Sequence, residues 1–244
     1  MSKEKKRMIR AICSIFGIVV LGVICIKVYE NKLIRVAKEY LSQNYSQEMK
    51  YVRVDYNWFV DPALHSVFFS PEGTSDLIFR VRISQGFNIR EIRNNRRPDN
   101  YYLKYFEYSL EKNFENDVNE MWGRETSVRV MISNQWPFGS YPNGFDVPYG
   151  FDINLPLPDM AKLFGHYFIV VLIDENSRNI ESKIDEASRM LKFIQTVQES
   201  GYQPESVCFK YLPKKSKDNK EQMSITFENW VDIITVGQVL DQMK

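Results

Sequence analysis

HSVFFSPEGTSDLIFRVRIS, residues His65 to Ser84, is the stretch that decides the fold. In its second half Leu77, Phe79, Val81 and Ile83 are apolar, while Arg80, Arg82 and Ser84 between them are polar. Successive side chains of an extended chain point to opposite faces, so this alternation predicts a strand with one buried and one wet face. His65 to Ser70 predicts another strand, and Pro71-Glu72-Gly73-Thr74 between them has the composition of a tight turn. Strands joined so closely run antiparallel.

Upstream, Val52, Val54, Tyr56 and Trp58 alternate with Arg53, Asp55 and Asn57 before Asp61-Pro62 breaks the run, which predicts a further strand with those four apolar residues inward. Before it, Leu33, Val36, Ala37, Tyr40 and Leu41 recur at steps of three and four, the period of a helix with one buried face. Downstream, Leu103, Phe106, Leu110, Phe114, Val118 and Met121 predict a helix from Asp99 to Trp122. Pro98 and Asp99 suit its start and Gly123 its stop. It is expected to cover the three strands, and Val128, Val130 and Ile132 then predict a strand that completes a first subdomain over 31–133.

Residues 134–158 contain five prolines and three glycines without a usable period, and are read as the connecting loop between subdomains. The second subdomain, 159–244, begins with a buried strand, His166 to Ile173. A helix from Asn179 to Ser200 follows, with Ile180, Ile184, Ala187, Leu191 and Ile194 on its buried face and Gly201 ending it. Val207, Phe209 and Tyr211 point inward from a strand, Ser224 to Phe227 forms another, and a short helix starts at Val231. Strands and helices do not alternate strictly. The expected class is therefore α+β: an N-terminal transmembrane helix, then antiparallel sheets covered by helices in two cystatin-like or similar subdomains.

The transmembrane reading rests on AICSIFGIVVLGVICI, Ala11 to Ile26, which carries no charge. Its sixteen residues span about 24 Å as a helix, short of a hydrocarbon core of about 30 Å. Met8, Ile9, Val28 and Tyr29 extend the apolar character, giving an anchor over 8–29. Arg10 and Lys27 reach the headgroups from its two ends on aliphatic stems, and Tyr29 adds an interfacial anchor. A cleaved signal peptide would need small residues before the cut, which Val23 to Val28 do not offer, and a lipobox at Cys25 would want a small residue where Ile24 stands. The basic residues before the span place 1–10 as a cytoplasmic tail and the C-terminal domain outside a single-pass cell-membrane protein.

The chain has 244 residues, 44% hydrophobic and 26% charged, with a formal net charge of +1. Six of the basic residues but only one acidic residue lie in Met1 to Lys27, so the rest of the chain is weakly acidic and has no global attraction for nucleic acid. Cys13 and Cys25 fall in the apolar stretch and leave Cys208, expected to be buried, as the domain's single thiol. That usage fits the outer face of a bacterium which exports proteins without disulfides.

KEYLSQNY at Lys38 to Tyr45, YVRVDYNWF at Tyr51 to Phe59 and VFFSPEGTSDLIFRV at Val67 to Val81 resemble the YfjL-like family, uncharacterised membrane-anchored proteins of Gram-positive bacteria. The resemblance covers about residues 5 to 130. It implies the anchor and the α+β fold, and it carries over no functional residue.

His65 and His166 stand a hundred residues apart and are read as structural, with no His-Glu-x-x-His, Cys-x-x-Cys, Gly-x-Ser-x-Gly or P-loop in the sequence. A calcium loop through Asp174, Asn176 and Arg178 fails because its third position is cationic. No catalytic, metal or cofactor residue is predicted. Trp136, Phe138, Tyr141, Phe145, Tyr149 and Phe151 interleave with Asp146 and Asp152. Such a set can plug a gap between subdomains or bind glycans, with rings on C–H faces and acids on hydroxyls. Arg90, Arg93, Arg96 and Arg97 form a basic run able to clasp phosphate, on lipid or on wall polymers. The resulting expectation is a membrane-tethered, non-enzymatic extracytoplasmic binding or interaction protein. Membrane lipid would be its partner through the N-terminal helix, with a membrane or cell-wall partner besides. Alternatives are a structural subunit of a secretion or conjugation assembly, and a cell-wall glycan hydrolase using Asp146 and Asp152.

Overall fold

The alternation around Pro71 folds as the expected hairpin. The structure, a computed structural model, describes residues 3–58, 64–89, 99–123, 126–132, 155–164, 167–174, 182–212 and 224–243. It is α+β and divides into two compact units, Met1–Tyr101 and Tyr102–Lys244.

The first unit contains helix α1 (Lys3–Asn44) and strands β1 (Met49–Asp55), β2 (Leu64–Pro71) and β3 (Phe79–Ser84). The strands form an antiparallel sheet in the order β1-β2-β3. At the hairpin the Thr74 N–H donates to the Pro71 carbonyl at 3.1 Å, and Gly73 takes φ +84°, a conformation open to glycine without strain. Helix α1 packs on all three strands. Leu33, Ala37 and Leu41, four apart and therefore stacked on one helix face, are buried, as are Val67, Phe69, Phe79, Val81 and Ile83. Each large apolar side chain among them contributes about 1.5–3 kcal/mol by leaving water. The 31–45 helix is the direct continuation of the apolar segment, one helix of 42 residues.

Two strand expectations change. The register of β1 slips between Tyr51 and Arg53, so a bulge interrupts its alternation, and Val52 is turned out to 39% exposure instead of facing in. Strand β3 is not wet on its second face, because Arg82 and Ser84 are buried there. Burial lowers the pKa of both Arg80 and Arg82, that of Arg82 to about 10 with Arg80's like charge adding to the effect.

The second unit holds α2 (Tyr101–Trp122), β4 (Ser127–Ile132), α3 (Leu157–Phe164), β5 (Tyr167–Asp174), α4 (Lys183–Glu199), β6 (Ser206–Leu212), β7 (Ser224–Phe227), a 3₁₀ turn (Trp230–Asp232) and α5 (Val236–Gln242). Its sheet runs β4-β5-β6-β7. The pairing is antiparallel except between β5 and β6, which are parallel because α4 carries the chain back to the same end. The wholly antiparallel expectation thus holds for the first sheet and for two of the three pairings of the second.

The predicted boundary moves. Strands β4 and β5 are hydrogen-bonded neighbours in one sheet although they flank 134–158 in sequence, and the units part at Tyr101 and Tyr102 instead. The 101–122 helix likewise belongs to the second unit: Phe106 meets Tyr167, Phe114 meets Phe193, and Trp122 meets Phe209, with ring centroids 5.5, 5.5 and 5.8 Å apart. An amphipathic stripe states that a helix is covered; it does not say by which sheet. The Glu111 carboxylate of α2 also accepts the outward N–H of Val130 on edge strand β4 at 3.0 Å. Helix α4 is rotated from the expected face: Glu186, Ala187, Met190, Phe193, Ile194 and Val197 are buried, while Ile184 is 60% exposed.

Candidate functional site

In the first unit, side chains from four segments converge where α1 leaves its apolar stretch. His65 on β2 is fully buried. Its Nδ1 accepts the Asn57 N–H at 3.1 Å, and its Nε2 lies 2.9 Å from Tyr29 Oη. Tyr29 Oη is also 3.4 Å from the Gln85 carbonyl. These contacts fix the tautomer. Nδ1 must be bare to accept, so Nε2 carries the hydrogen and donates it to Tyr29, whose own O–H is then directed to Gln85. Burial lowers the His65 pKa and keeps the ring neutral.

Around this chain of hydrogen bonds lie aromatic rings. The Tyr29 ring is 5.2 Å from Trp58 and 4.9 Å from Phe87, Trp58 stacks on Tyr56 at 5.7 Å, and Lys32 Nζ lies 3.8 Å above Phe87. Phe87 has φ +60°, a left-handed conformation that costs a bulky residue about 1–2 kcal/mol. Its contacts with Tyr29 and Lys32 hold it there. Trp58 remains 45% exposed.

Beside the rings, the Glu30 carboxylate accepts from Lys27 Nζ and Tyr51 Oη, each at 2.8 Å. The bond from Lys27 and then that from Tyr51 lower the Glu30 pKa. Tyr51 is pushed up to about 12, by burial first and by Glu30 second. Burial first and the same carboxylate second raise the pKa of the buried Tyr56 hydroxyl, which makes no hydrogen bond of normal geometry.

This arrangement is not built for proton transfer to a substrate. Both nitrogens of His65 are occupied, the ring is sealed from solvent, and among the described residues no carboxylate orients it. Its reachable part is an aromatic and cationic face made by Trp58, Phe87, Lys32 and Lys27. A second surface on the same unit is an open groove of about 560 Å³ lined by Lys50, Val52, Pro71, Glu72 and Ile78, into which the bulge turns Val52.

The second unit contains a buried carboxylate. Glu186 Oε1, in the first turn of α4, accepts Trp122 Nε1–H at 3.0 Å and the Tyr211 hydroxyl, while Oε2 stands 3.8 Å from Arg189 Nη1. It is 1% exposed and lines neither the groove above nor the 180 Å³ pocket of its own unit, formed by Pro158, Ala161, Lys162, Tyr167, Gly201 and Gln203.

Of the residues singled out in the sequence, Tyr29 and Lys27 each make a bond within the first unit, Tyr29 to His65 and Lys27 to Glu30, and not to each other. Cys208 is half-buried beside Thr226 instead of buried. Trp136, Phe138, Tyr141, Phe145, Asp146, Tyr149, Phe151 and Asp152 lie outside the described residues, as do Arg90, Arg93, Arg96, Arg97 and His166 and the side chain of Arg10. Among the described residues there is no group of three or more His, Cys, Asp or Glu placed to hold a metal. Sequence reasoning missed Glu30, Glu186 and the role of His65. Their only local signal was a polar residue within an apolar period, seen for Glu186 between Ile184 and Ala187.

No protein-family model matches the chain, and no curated protein matches its sequence. Among solved structures it is similar to a DUF5037 family protein from Ruminococcus gnavus ATCC 29149, with a TM-score of 0.44 and 12% identity over 76% of each chain. A likeness this distant carries nothing to the chemistry of this chain.

Among the described residues one helix is long and apolar enough to cross a membrane. It is the N-terminal part of α1, where an 18-residue window reaches a mean hydropathy of 2.5 and none of that window is buried.

Proposed function

We propose that the chain is a membrane-tethered, non-enzymatic binding or interaction protein whose two α+β units lie outside the cell. The observation that carries this reading is the continuity of α1: an unburied apolar stretch runs without a break into the buried stripe of Leu33, Ala37 and Leu41. A cleaved leader has no reason to continue as one unbroken helix into the buried stripe of the domain. The basic residues before the span favour a cytoplasmic N-terminus. The resemblance to the YfjL-like proteins accords with an anchored chain. The open groove at Val52 and Ile78 offers the first unit a mixed apolar and charged surface for a ligand.

Protease added to intact cells tests the reading. Loss of the C-terminal units with survival of a basic, membrane-bound stub is expected; full protection of the chain overturns the topology. Cross-linking in intact cells followed by mass spectrometry then identifies the protein or wall partner.

The reading as a subunit of a membrane assembly makes a different demand, on Ser14, Gly17 and Gly22 in the span. A methyl group added at Gly17 or Gly22 meets nothing within 4 Å, so the helix surface there is open to another helix. Gly17→Ile or Gly22→Ile should then abolish assembly while leaving insertion intact.

A further inference from the structure

The geometry points to an interfacial platform: Tyr29, Trp58 and Phe87, with Lys32, seat the first unit directly on the lipid headgroups. The inference rests on the membrane-tethered reading and adds where the domain lies against the bilayer and through which residues.

Distance along α1 is the first argument. Ile26 closes the charge-free stretch and Leu33 is the first fully buried residue of the domain, seven residues later. Seven helical residues rise about 10 Å, hardly more than the headgroup layer of one leaflet, which is about 5–8 Å thick. No glycine or proline occurs between Val23 and Asn44, so the helix has no hinge that would let the domain swing away. A domain that starts so close to the hydrocarbon on a stiff rod must rest its near edge among the headgroups.

Chemistry is the second. The near edge, defined by the side chains that meet Tyr29, consists of Trp58 and Phe87 over the buried His65. Trp and Tyr are the residues that prefer the boundary of a bilayer, where a ring has one apolar and one wet surroundings. Trp58 keeps nearly half its surface uncovered although it stacks on Tyr56. Lys32, over Phe87, supplies a cation at the level of the phosphates, and the acid beside it, Glu30, is already held by Lys27 and Tyr51. Phe87 is kept in an unfavourable backbone conformation at this edge, where a smaller residue would close the turn at less cost.

The test uses the full chain reconstituted in phosphatidylcholine and phosphatidylglycerol vesicles, with bromine carried on the lipid tails either near the glycerol or near the methyl end. The emission lost in Trp58→Phe relative to the native chain is the Trp58 contribution. It should be blue-shifted in vesicles and quenched by bromine near the glycerol but not by bromine near the methyl end. Trp58→Tyr serves as a second variant should the phenylalanine form fold poorly. A chain that floats with the vesicles while its Trp58 contribution stays unquenched overturns the platform and leaves the anchor standing. A chain that does not float overturns both.

Discussion

Replacing Glu186 separates a carboxylate that organises the second core from one that is merely tolerated there. Its Oε1 serves the Trp122 indole N–H and the Tyr211 hydroxyl, and Trp122 is itself buried, so loss of the acceptor strands an indole donor away from water. A buried donor without a partner costs about 1–3 kcal/mol, and the space left by a truncated side chain adds to it. Glu186→Ala is therefore expected to lower stability by about 3–5 kcal/mol, the two stranded donors and the cavity together. Glu186→Gln keeps the volume and the acceptor. It weakens two charge-assisted bonds by about 1 kcal/mol each, loses the favourable placement of a negative charge in the first turn of α4, and regains part of the cost of burying that charge. Its net effect should be about 1–2 kcal/mol. Urea unfolding of the full chain in mild detergent, followed by tryptophan emission and far-UV circular dichroism, measures both. A cost below about 1 kcal/mol for alanine, or a glutamine variant no better than alanine, would refute the assignment.

Three further outcomes are expected. Because burial depresses the His65 pKa, the unfolded chain binds a proton at a higher pH than the folded chain does. Stability should be level above the ordinary histidine value of 6.5, fall as pH drops below it, and level again below the folded pKa, with His65→Gln removing that dependence in pH-resolved unfolding. Gly123 ends α2 at φ +95° with nothing within 4 Å of an added methyl, so Gly123→Ala should cost about 1–2 kcal/mol from backbone strain alone, read from a lower melting temperature. Leu33→Ala removes a fully buried side chain from the α1 stripe and should cost about 2–5 kcal/mol in the same unfolding assay, while Ile34→Ala or Val36→Ala, at positions only half-buried, should cost less than half as much.

How much of this was legible in the sequence depends on how local the determining contact is. The alternation of Phe79, Val81 and Ile83, the four-residue spacing of Leu33, Ala37 and Leu41, and the glycines that stop α2 and α4 act within a turn or two of chain, and they are visible there. The bulge at Val52 is not, because register is set by the partner strand. Nor is the rotation of α4: Ile184 and Leu191 make as good a stripe as Met190 and Phe193 until Trp122 and Tyr211, 64 and 25 residues away, supply donors for Glu186. The site at Tyr29 was half legible. Its aromatic character suited a membrane boundary, but the hydrogen bond to His65 joins residues 36 apart. The apolar pattern of α2 was read correctly and assigned to the wrong sheet, since amphipathicity fixes which face of a helix is covered and leaves its partner open.

That Tyr29 and Glu30 are bonded to the sheet bears on how α1 crosses from one environment to another. Residues 27–32 are KVYENK, where Val28, Tyr29 and Asn31 are weak helix formers, so this turn would gain little from intrinsic propensity in water. It is held from the side. Tyr29 is pinned through His65 to β2, and Glu30 through Tyr51 to β1, while the Lys27–Glu30 pair adds an i,i+3 bridge along the helix. The first unit thus stiffens the one turn at which the rod would otherwise fray. If α1 spans a bilayer as proposed, tilt of the span and orientation of the domain are a single variable. A ligand that tips the first unit would tip the helix with it, whereas a domain on a glycine-rich tether would pass on nothing.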